Sequence, residues 1–310
     1  MTFSEADIPD LSGKIIIITG GNSGIGKQTV AVLASKGAKV YLAARSEEKY
    51  RQALADIHET HPATKAAAIE FLKLDLSTAA GAKAAAEDFK AREQSLHILY
   101  NNAGVMGTAK GKLSGDGYEY QWAVNVFGPF VLTYHLLPLL IKTAARSPPG
   151  DVRIINTASS GAKQAPKSGI PLDDPTVGAS PPARTPFQCY GQSKIGVILL
   201  TRQLARRYPR IWSFAPHPSP VQSELMRELG IPRAVKWVLD RIVFKPVQYG
   251  ALTQLFAGTS STLSASQNGS YLVPLGKVED RLPHPQCADD QFGEKVWEWN
   301  INAMRKAGAE

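Results

Sequence analysis

The sequence predicts an α/β fold, in which a doubly wound, mostly parallel sheet of seven strands has helices on both faces. Short apolar runs alternate along the chain with longer segments of helical pattern, as in parallel sheets covered by helices. The first run, four isoleucines at positions 15–18, has the composition of a strand that is buried on both faces. A glycine-rich turn follows, and then a helical segment with Val30, Leu33 and Ala34 on one face, ending at Gly37.

Strand, glycine turn and helix together form the opening unit of a dinucleotide-binding fold. Gly20 permits the tight turn, Gly24 lets backbone N–H groups approach a pyrophosphate, and Gly26 lets the helix pack closely on the sheet. The helix N-terminus adds unpaired donors and a partial positive charge. The spacing is Gly-x-x-x-Gly-x-Gly, and an ordinary tight connection is the alternative interpretation. The other predicted cofactor contacts in this turn are Asn22, Ser23 and Ile25.

The second predicted strand, about residues 39–43, is followed by Arg45 at the place where an acidic residue would bind the ribose 2′-hydroxyl of NAD. A guanidinium can bind a 2′-phosphate through paired charge-assisted hydrogen bonds. We therefore expect NADP(H) rather than NAD(H). The alternative is a surface arginine paired with Glu47 or Glu48. Further contacts are expected from Ser46 and Lys27.

Two more predicted strands end in polar residues. The third strand, about residues 68–74, is followed by Asp75 and Leu76, on the ligand side of a parallel sheet. Asp75 either accepts a hydrogen bond from the adenine amino group or caps the helix that follows. The fourth strand, residues 97–100, runs into Asn101-Asn102-Ala103-Gly104, whose small and amide side chains permit close approach of a cofactor.

The glycine turn, Thr19-Gly20-x-x-x-Gly24-Ile25-Gly26, and the Asn101-Asn102-Ala103-Gly104 turn together resemble the short-chain dehydrogenase/reductase family, which has a Rossmann-type fold. The resemblance implies that the asparagine turn braces the central sheet beside the adenine ribose, with Asn102, Ala103 and Gly104 at the cofactor. It also implies that Asn125, in a long helical segment at about 117–143, bends the helix and holds a water near the catalytic lysine. A buried asparagine satisfied by backbone groups is compatible with that role.

The fifth predicted strand, residues 152–158, ends in Ser159 and Ser160. By register with the family's strand, Ser159 matches the catalytic serine, and Ser160 is the second choice. Tyr190 and Lys194 lie four residues apart on one helix face and match the family's Tyr-x-x-x-Lys. The resemblance implies that Tyr190 exchanges a proton with the substrate oxygen and that Ser159 hydrogen-bonds this oxygen. Lys194 would bind the nicotinamide ribose and favour the phenolate.

The sixth predicted strand, about residues 211–215, leads to His217-Pro218-Ser219-Pro220-Val221-Gln222-Ser223. The family usually has Pro-Gly here, followed by a hydroxyl residue that binds the nicotinamide amide. Pro218 and Ser223 match this pattern, but Ser219 replaces the glycine. The sequence therefore does not decide the conformation of this turn. We expect His217 to pack at the strand end, because no His, Cys and acidic residues have the spacing of metal ligands. Val221 completes the predicted cofactor contacts.

Two segments are expected near the substrate. Residues 161–187 contain six prolines, which argues against regular structure. The long link resembles the retinol-dehydrogenase-like branch of the family, in which this insert lies near the substrate mouth, and we interpret it as a partial lid. Residues 220–245 match the family's substrate lid, with a basic amphipathic helix at a membrane surface as the alternative.

The remaining segments complete a single predicted domain over residues 1–310. Residues 1–13 are interpreted as a mobile lead-in, and the last strand is expected near residues 270–273. A C-terminal tail, residues 277–310, contains a helix at about 292–303 that is expected to pack against the body through Trp297 and Trp299.

Composition restricts the class of protein. Hydrophobic residues make up 44% and charged residues 20%, as in soluble globular proteins. Two cysteines argue against a disulfide scaffold and favour a reducing compartment, so we expect a cytoplasmic protein. The most apolar stretch, residues 126–141, is shorter than the ~20 residues of a spanning helix, so we expect neither a transmembrane segment nor peripheral membrane contact. The net charge of +8 is scattered, which argues against nucleic-acid binding.

The sequence therefore predicts an NADP(H)-dependent oxidoreductase that transfers a hydride between nicotinamide and a ketone, an aldehyde or an alcohol. The proline-rich insert and the apolar lid indicate a bulky lipophilic substrate, and a homodimer is possible. Two alternatives belong to other classes: a non-catalytic nicotinamide sensor on the same fold, and an epimerase or dehydratase that retains the hydride.

Overall fold

The computed structural model describes residues 3–174, 176–180, 183–221 and 244–310. Within them, eight strands form one sheet in the order β3-β2-β1-β4-β5-β6-β7-β8. The strands are β1 Ile15–Thr19, β2 Lys39–Ala44, β3 Ile69–Lys73, β4 Ile98–Asn101, β5 Arg153–Asn156, β6 Trp212–Pro216, β7 Tyr271–Val273 and β8 Lys277–Val278. The seven predicted strands are parallel, and the fold class is confirmed. The unpredicted β8 pairs antiparallel with β7 and has only two residues, too few for a sequence pattern.

Helices cover both faces of this sheet. They are α1 Gly24–Ser35, α2 Glu47–Thr60, α3 Ala79–Arg92, α4 Tyr120–Trp122, α5 Gly128–Ala144, α6 Pro186–Arg207, α7 Val247–Thr259 and α8 Asp290–Lys306. A π-helical turn, Ala123–Phe127, joins α4 to α5. Short 3-10 turns lie at Glu5–Asp7, Pro62–Ala66, Ser160–Gln164, Ala265–Gln267, Pro274–Gly276 and Pro285–Ala288. Helices were predicted from the sequence at α1, α3, α5, α6 and α8, whereas α7 was not predicted.

The isoleucine strand β1 lies at the centre of the sheet and separates two cores. Ile17 packs in the core that contains residues of α3, α5, α6 and α8, whereas Ile16 and Ile18 pack in the core on the opposite face, with α1, α2 and α7. All three side chains are fully buried. Because strand side chains alternate between faces, this arrangement explains why the run is apolar at every position.

The strand order reverses next to β1, and this reversal determines where a ligand can bind. β1 pairs with β2 on one side and with β4 on the other, so the connections leave the two strands in opposite directions. A crevice therefore opens beyond their carboxyl ends, where doubly wound sheets bind their ligands.

The lead-in is packed rather than mobile, which corrects the sequence-based expectation for its described part, residues 3–13. Phe3, Ile8 and Leu11 are buried, and the Phe3 ring contacts Phe256 edge-on at 5.2 Å between centroids. The Leu11 N–H donates to the Lys36 carbonyl at 2.8 Å. The three apolar residues are isolated among polar ones and form no periodic pattern. Tertiary contacts therefore decide the position of this segment.

The C-terminal helix α8 packs against the body as predicted. The Trp299 ring lies edge-on to Tyr118 at 4.9 Å and to Trp122 at 5.7 Å, and Trp297 contacts Phe130 at 5.0 Å. The continuous helix Tyr120–Ala144 is long and apolar enough to cross a membrane, but 78% of its most apolar window is buried inside the protein. Its composition is therefore explained by its place in the core.

Candidate active site

The two predicted cofactor turns pack directly on each other. The Asn102 side-chain amide donates to the Thr19 carbonyl at 2.8 Å, and the Ala103 N–H donates to the Thr19 hydroxyl at 2.9 Å. A Cβ at Gly26 would lie 2.3 Å from the Gly20 carbonyl oxygen and 2.5 Å from the Asn102 amide nitrogen. Gly26 therefore allows the helix to approach both the preceding turn and the neighbouring strand end.

A cleft of about 810 Å³ opens at these turns, along the carboxyl ends of the parallel strands. Its volume is in the range of small-molecule and cofactor sites. It is lined by nearly all the residues that the sequence indicated: Gly20, Asn22, Ser23, Gly24, Ile25, Gly26, Arg45, Asp75, Leu76, Asn102, Ala103, Gly104, Ser159, Tyr190, Lys194, Pro218 and Val221. Ser223 and most of the predicted lid, residues 222–243, lie outside the described residues, whereas Phe244 at its end lines the cleft.

Arg45 is exposed at one end of this cleft. The alternative of an ion pair with Glu47 or Glu48 is not seen in the described part of the chain, because Glu47 pairs with Arg51 at 2.7 Å and Glu48 accepts from Gln52 at 3.3 Å. Further basic and polar groups surround the same position. Ser46 and Lys49 line the cleft, and Ser46 also caps α2. Lys49 was not predicted from the sequence, although it lies one helical turn from Arg45.

Lys27, in contrast, is engaged elsewhere, since its ammonium group pairs with Asp56 at 2.9 Å.

Asp75 lies in the cleft and does not cap α3. Its carboxylate accepts from the Ser77 N–H at 2.9 Å and from the Ser77 hydroxyl at 2.7 Å. Thr78 is the N-cap of α3 and accepts from the Gly81 N–H at 3.2 Å. The capping alternative for Asp75 is therefore wrong, because a nearer hydroxyl residue takes that role.

At the other end of the cleft, Ser159 and Tyr190 meet. The Ser159 hydroxyl accepts from the Gly161 N–H at 3.0 Å and lies beside the Tyr190 ring, with Gly161 between them. A Cβ at Gly161 would lie 2.6 Å from the Tyr190 ring and 3.1 Å from the Ser159 hydroxyl, so glycine is needed for this approach. The sequence analysis did not single out Gly161. Ser160 also lines the cleft, so the choice of Ser159 over Ser160 as the reacting serine stays a prediction.

Lys194 completes this group from the next turn of α6. Its ammonium nitrogen donates to the Thr157 carbonyl at 2.7 Å and lies 5.6 Å from the centre of the Tyr190 ring. Burial lowers the pKa of Lys194 to about 8, because a charge is costly away from water. Burial also raises the pKa of Tyr190, and the Ser159 hydroxyl beside it opposes this effect. In the protein alone, burial therefore opposes the phenolate that the sequence analysis expected Lys194 to favour.

Asn125 lies within the π-helical turn, which agrees with the predicted bend of the helix. Its amide accepts from the Val105 N–H at 2.8 Å and donates to the Val105 carbonyl and the Ser193 hydroxyl, both at 3.0 Å. The Ser193 hydroxyl in turn donates to the Tyr190 carbonyl at 2.7 Å. Asn125 thus connects its own helix to α6. It also lines a small neighbouring cavity of about 30 Å³, roughly the space of a water or two.

The segment after β6 keeps the expected turn despite the missing glycine. Ser219 adopts a φ of +74°, in the left-handed region that favours glycine. The His217 ring stacks on Tyr271, and burial lowers its pKa to about 4, so it is neutral at physiological pH. Among the described residues, no group of three or more His, Cys, Asp or Glu is arranged to bind a metal ion.

Known proteins are similar to this chain over nearly its whole length. A family model described as short chain dehydrogenase matches residues 14–171. A short-chain dehydrogenase/reductase of Armillaria gallica is 41% identical over 305 residues, which cover 96% of this chain and 92% of the relative.

Two solved structures show the same fold. An uncharacterized protein of Mycobacterium paratuberculosis has a TM-score of 0.74 and 24% identity, with 98% of both chains covered. RhlG of Pseudomonas aeruginosa, solved as an active-site complex with NADP, has a TM-score of 0.63 and 27% identity, covering 86% of this chain and 96% of that one.

The fold and the cleft define an oxidoreductase of the nicotinamide-dependent class. The chain belongs to the short-chain dehydrogenase/reductase family, which confirms the resemblance found in its motifs. Its assignment to the retinol-dehydrogenase-like branch stays a prediction.

Proposed function

We propose that this protein is an NADP(H)-dependent carbonyl reductase or alcohol dehydrogenase. The observation that supports it best is the meeting of a hydroxyl, a phenol and an amine, from Ser159, Tyr190 and Lys194, at one end of a cofactor-sized cleft. Ser159 follows the strand β5, whereas Tyr190 and Lys194 lie in the first turns of α6.

The opposite end of the cleft fits a dinucleotide. Gly20 and Gly26 have no side chains that would cover the backbone. The helix α1 begins in the same turn, and its first N–H groups are available to a ligand. The N-cap residue Ser23 makes no side-chain hydrogen bond to the first turn of the helix, so it does not compete with a phosphate for those donors. The residues present therefore suit a pyrophosphate.

The nicotinamide, when bound, supplies the hydride. Tyr190 would donate a proton to the carbonyl oxygen in reduction and accept it in oxidation. Ser159 would hydrogen-bond the same oxygen and stabilise the negative charge that develops there. Lys194 would bind the ribose hydroxyls, and its charge would act with that of the oxidised nicotinamide to favour the phenolate. Asn125 would hold a water for proton resupply.

The choice of NADP(H) over NAD(H) is supported by the charge at the adenosine end. Arg45 and Lys49 both line the cleft, and Arg45 is exposed. Two cations at this place would stabilise a 2′-phosphate, whereas a ribose 2′-hydroxyl needs an acceptor. The complex of RhlG with NADP is consistent with this assignment.

A bulky lipophilic substrate is supported by the apolar side chains that line the cleft. The lining of the cleft also includes apolar and aromatic residues, which are Met106, Tyr120, Val124, Phe187 and Phe244. Such a lining favours a large apolar ketone, aldehyde or alcohol through burial of its surface. Two free buried cysteines, Cys189 and Cys287, support a cytoplasmic location, and a homodimer remains a prediction.

The substitution Tyr190→Phe tests the proposal. We expect it to reduce ketone-dependent NADPH oxidation by at least about 10³-fold, since the acid is lost, while NADPH affinity stays nearly unchanged. Tyr208→Phe, at the end of the same helix, is the matched control and is expected to retain full activity.

Three results would contradict the proposal. Full activity of the Tyr190→Phe variant would remove the assigned acid. Binding of NADPH without oxidation across a panel of lipophilic ketones and aldehydes would favour the sensor. Turnover without net consumption of NADPH would favour an epimerase or dehydratase.

A further inference from the structure

Gln192 lies between Tyr190 and Lys194 in α6 but does not line the cleft in the described part of the chain. Two positions along a helix turn the side chain by about 200° from Tyr190. Its side chain is fully buried. The amide nitrogen donates to the Val177 carbonyl at 2.6 Å, and the amide oxygen accepts from the Arg184 guanidinium at 2.6 Å. We call Gln192, Val177 and Arg184 the Gln192 clasp.

Both partners of Gln192 belong to the proline-rich insert. Of the described insert residues, only those near its two ends, Gly161, Gln164 and Phe187, line the cleft. The described middle of the insert contacts α6 on the side away from the cleft. Val177 there is part of the core that contains residues of α3, α5, α6 and α8. Among the described residues, the expected partial lid therefore involves the ends of the insert, and the described part of its middle needs another explanation.

The backbone at Val177 is strained, which indicates that its position is imposed. Val177 has a φ of +56°, a value that is rare for a β-branched residue. The next residue, Gly178, has a φ of +102°, and a Cβ there would lie 2.9 Å from the Gln192 amide nitrogen. Such strain persists only where the surroundings determine it, and it concentrates at functional sites.

The same insert is also bonded to the helix that carries Asn125. The Glu119 N–H donates to the Thr176 carbonyl at 2.8 Å, and the Glu119 side chain caps α4 through the Trp122 N–H at 2.7 Å. The Gln121 amide donates to the Pro186 carbonyl at 2.8 Å, where α6 begins. The insert therefore joins the two helices that carry Asn125 and Tyr190.

We propose that the Gln192 clasp positions the reacting phenol, with Gln192 as a positioning residue that acts through α6. The inference rests on the proposed role of Tyr190. The hydrogen bonds of Gln192 fix one face of α6 to the insert. They thereby determine the position of α6 along its axis and its rotation about that axis, and so the positions of Tyr190 and Lys194 on the opposite face. A displacement of about 1 Å at a reacting group can reduce a rate by about 100-fold, so such a brace affects turnover more than cofactor binding.

Gln192→Leu tests this inference, with Gln203→Leu as its matched control. Gln203 lies on the same helix, is also buried, and donates to a backbone carbonyl, that of Asp290, at 3.2 Å. We expect Gln192→Leu to reduce kcat by about 10- to 100-fold, with the NADPH Kd changed less than about twofold. We also expect the apparent pKa in its kcat–pH profile to move, which a purely structural defect would not cause. Gln203→Leu should lower Tm to a similar degree without either effect.

The outcomes separate this inference from the proposed function. Suppose that Tyr190→Phe is inactive, and that Gln192→Leu and Gln203→Leu both lower Tm but leave kcat and its pH profile unchanged. The Gln192 clasp is then only structural, and the inference is wrong. If Tyr190→Phe is active, the proposed function itself fails. Should Gln192→Leu not fold, Arg184→Ala decides, because Arg184 is only half-buried. A folded Arg184→Ala variant with unchanged kcat overturns the inference, and one with reduced kcat and unchanged NADPH affinity supports it.

Discussion

At the glycine turn the cleft is made of backbone, whereas at the Tyr190 end it is made of buried side chains. Gly20, Gly26 and Asn102 form the first end by close approach, with exposed Arg45 as the charged group. Tyr190 and Lys194 form the second end, and burial changes the pKa of both. The first end depends on the absence of side-chain atoms, and the second depends on the exact placement of such atoms.

This difference predicts different responses to mutation. A site built from closely packed backbone loses ligand affinity when a side-chain atom is added to one of its glycines. Its affinity does not depend on the protonation state of side chains. A buried ionisable side chain can be replaced by an apolar one of similar shape without changing the packing. The ionisable side chain, however, makes stability and activity depend on pH. Four substitutions, from the largest expected effect to the smallest, test whether the two ends behave in these separate ways.

The largest effect is expected for Lys194→Met and concerns stability as a function of pH. A folded-state pKa of about 8 instead of 10.5 means that the unfolded chain binds the extra proton, so wild-type stability rises with pH between these values. Relative to Lys194→Met, the wild-type free energy of unfolding should increase by roughly 3 kcal/mol from pH 8 to pH 10.5. Urea unfolding of both proteins across this range measures it.

Lys110→Met, at an exposed position, is the control and should follow the wild type at every pH. A constant difference between wild type and Lys194→Met would mean that the ammonium is well solvated and that the second end of the cleft is not a buried ionisable site.

The next effect is expected for Gly26→Ala. Its Cβ would lie 2.3 Å from a backbone oxygen that cannot move aside, which should cost about 2 kcal/mol, or roughly 30-fold in NADPH affinity. Fluorescence titration with NADPH measures it. Gly293→Ala, in α8, is the control, because its Cβ would meet the side chains of Gln203 and Leu199 and no backbone atom. Equal NADPH affinity in both variants would contradict a backbone-built cradle.

A smaller effect is expected for Arg45→Asp, which tests the charge at the first end. The loss of charge-assisted hydrogen bonds to a 2′-phosphate should reduce the NADPH-to-NADH ratio of kcat/KM by about tenfold, corresponding to about 1.5 kcal/mol. Arg51→Asp makes the same change of charge on the exposed face of α2 and should leave the ratio unaltered. If both variants shift the ratio equally, the effect is one of net charge and the 2′-phosphate assignment is lost.

The smallest effect is expected for Ser219→Gly, at the turn that joins β6 to the cleft. A serine with a φ of +74° is less favourable than glycine there, so the substitution should raise the free energy of unfolding by about 0.5–1 kcal/mol. Chemical denaturation measures it. Ser219→Ala removes only the hydroxyl and keeps the strain, so it should show no gain; equal stabilisation by both would attribute the effect to the hydroxyl.

Many of the fold's features could be predicted from particular residues. Ile15–Ile18 predicted the buried central strand, and Arg45 and Asp75 were correctly placed at strand ends by the repeat of strand and helix. Such predictions succeed because local composition is sufficient for them. The lead-in was predicted wrongly because its placement depends on a distant residue, Phe256. The helix α7 was missed as well, and it packs in the core with α1 and α2, far away in the chain, whereas β8 was missed because its two residues are too few for a pattern.

The sequence by itself determined most of the sheet and the glycine turn, since these follow from local periodicity and from motifs at fixed spacing, and its family motifs predicted the reacting side chains. Only the tertiary structure decided that Gly161 admits the Tyr190 ring, that burial lowers the pKa of Lys194, and that Gln192 bonds to the insert. Each of these depends on atoms that are far apart in the chain, and desolvation and steric fit arise only once those atoms are brought together.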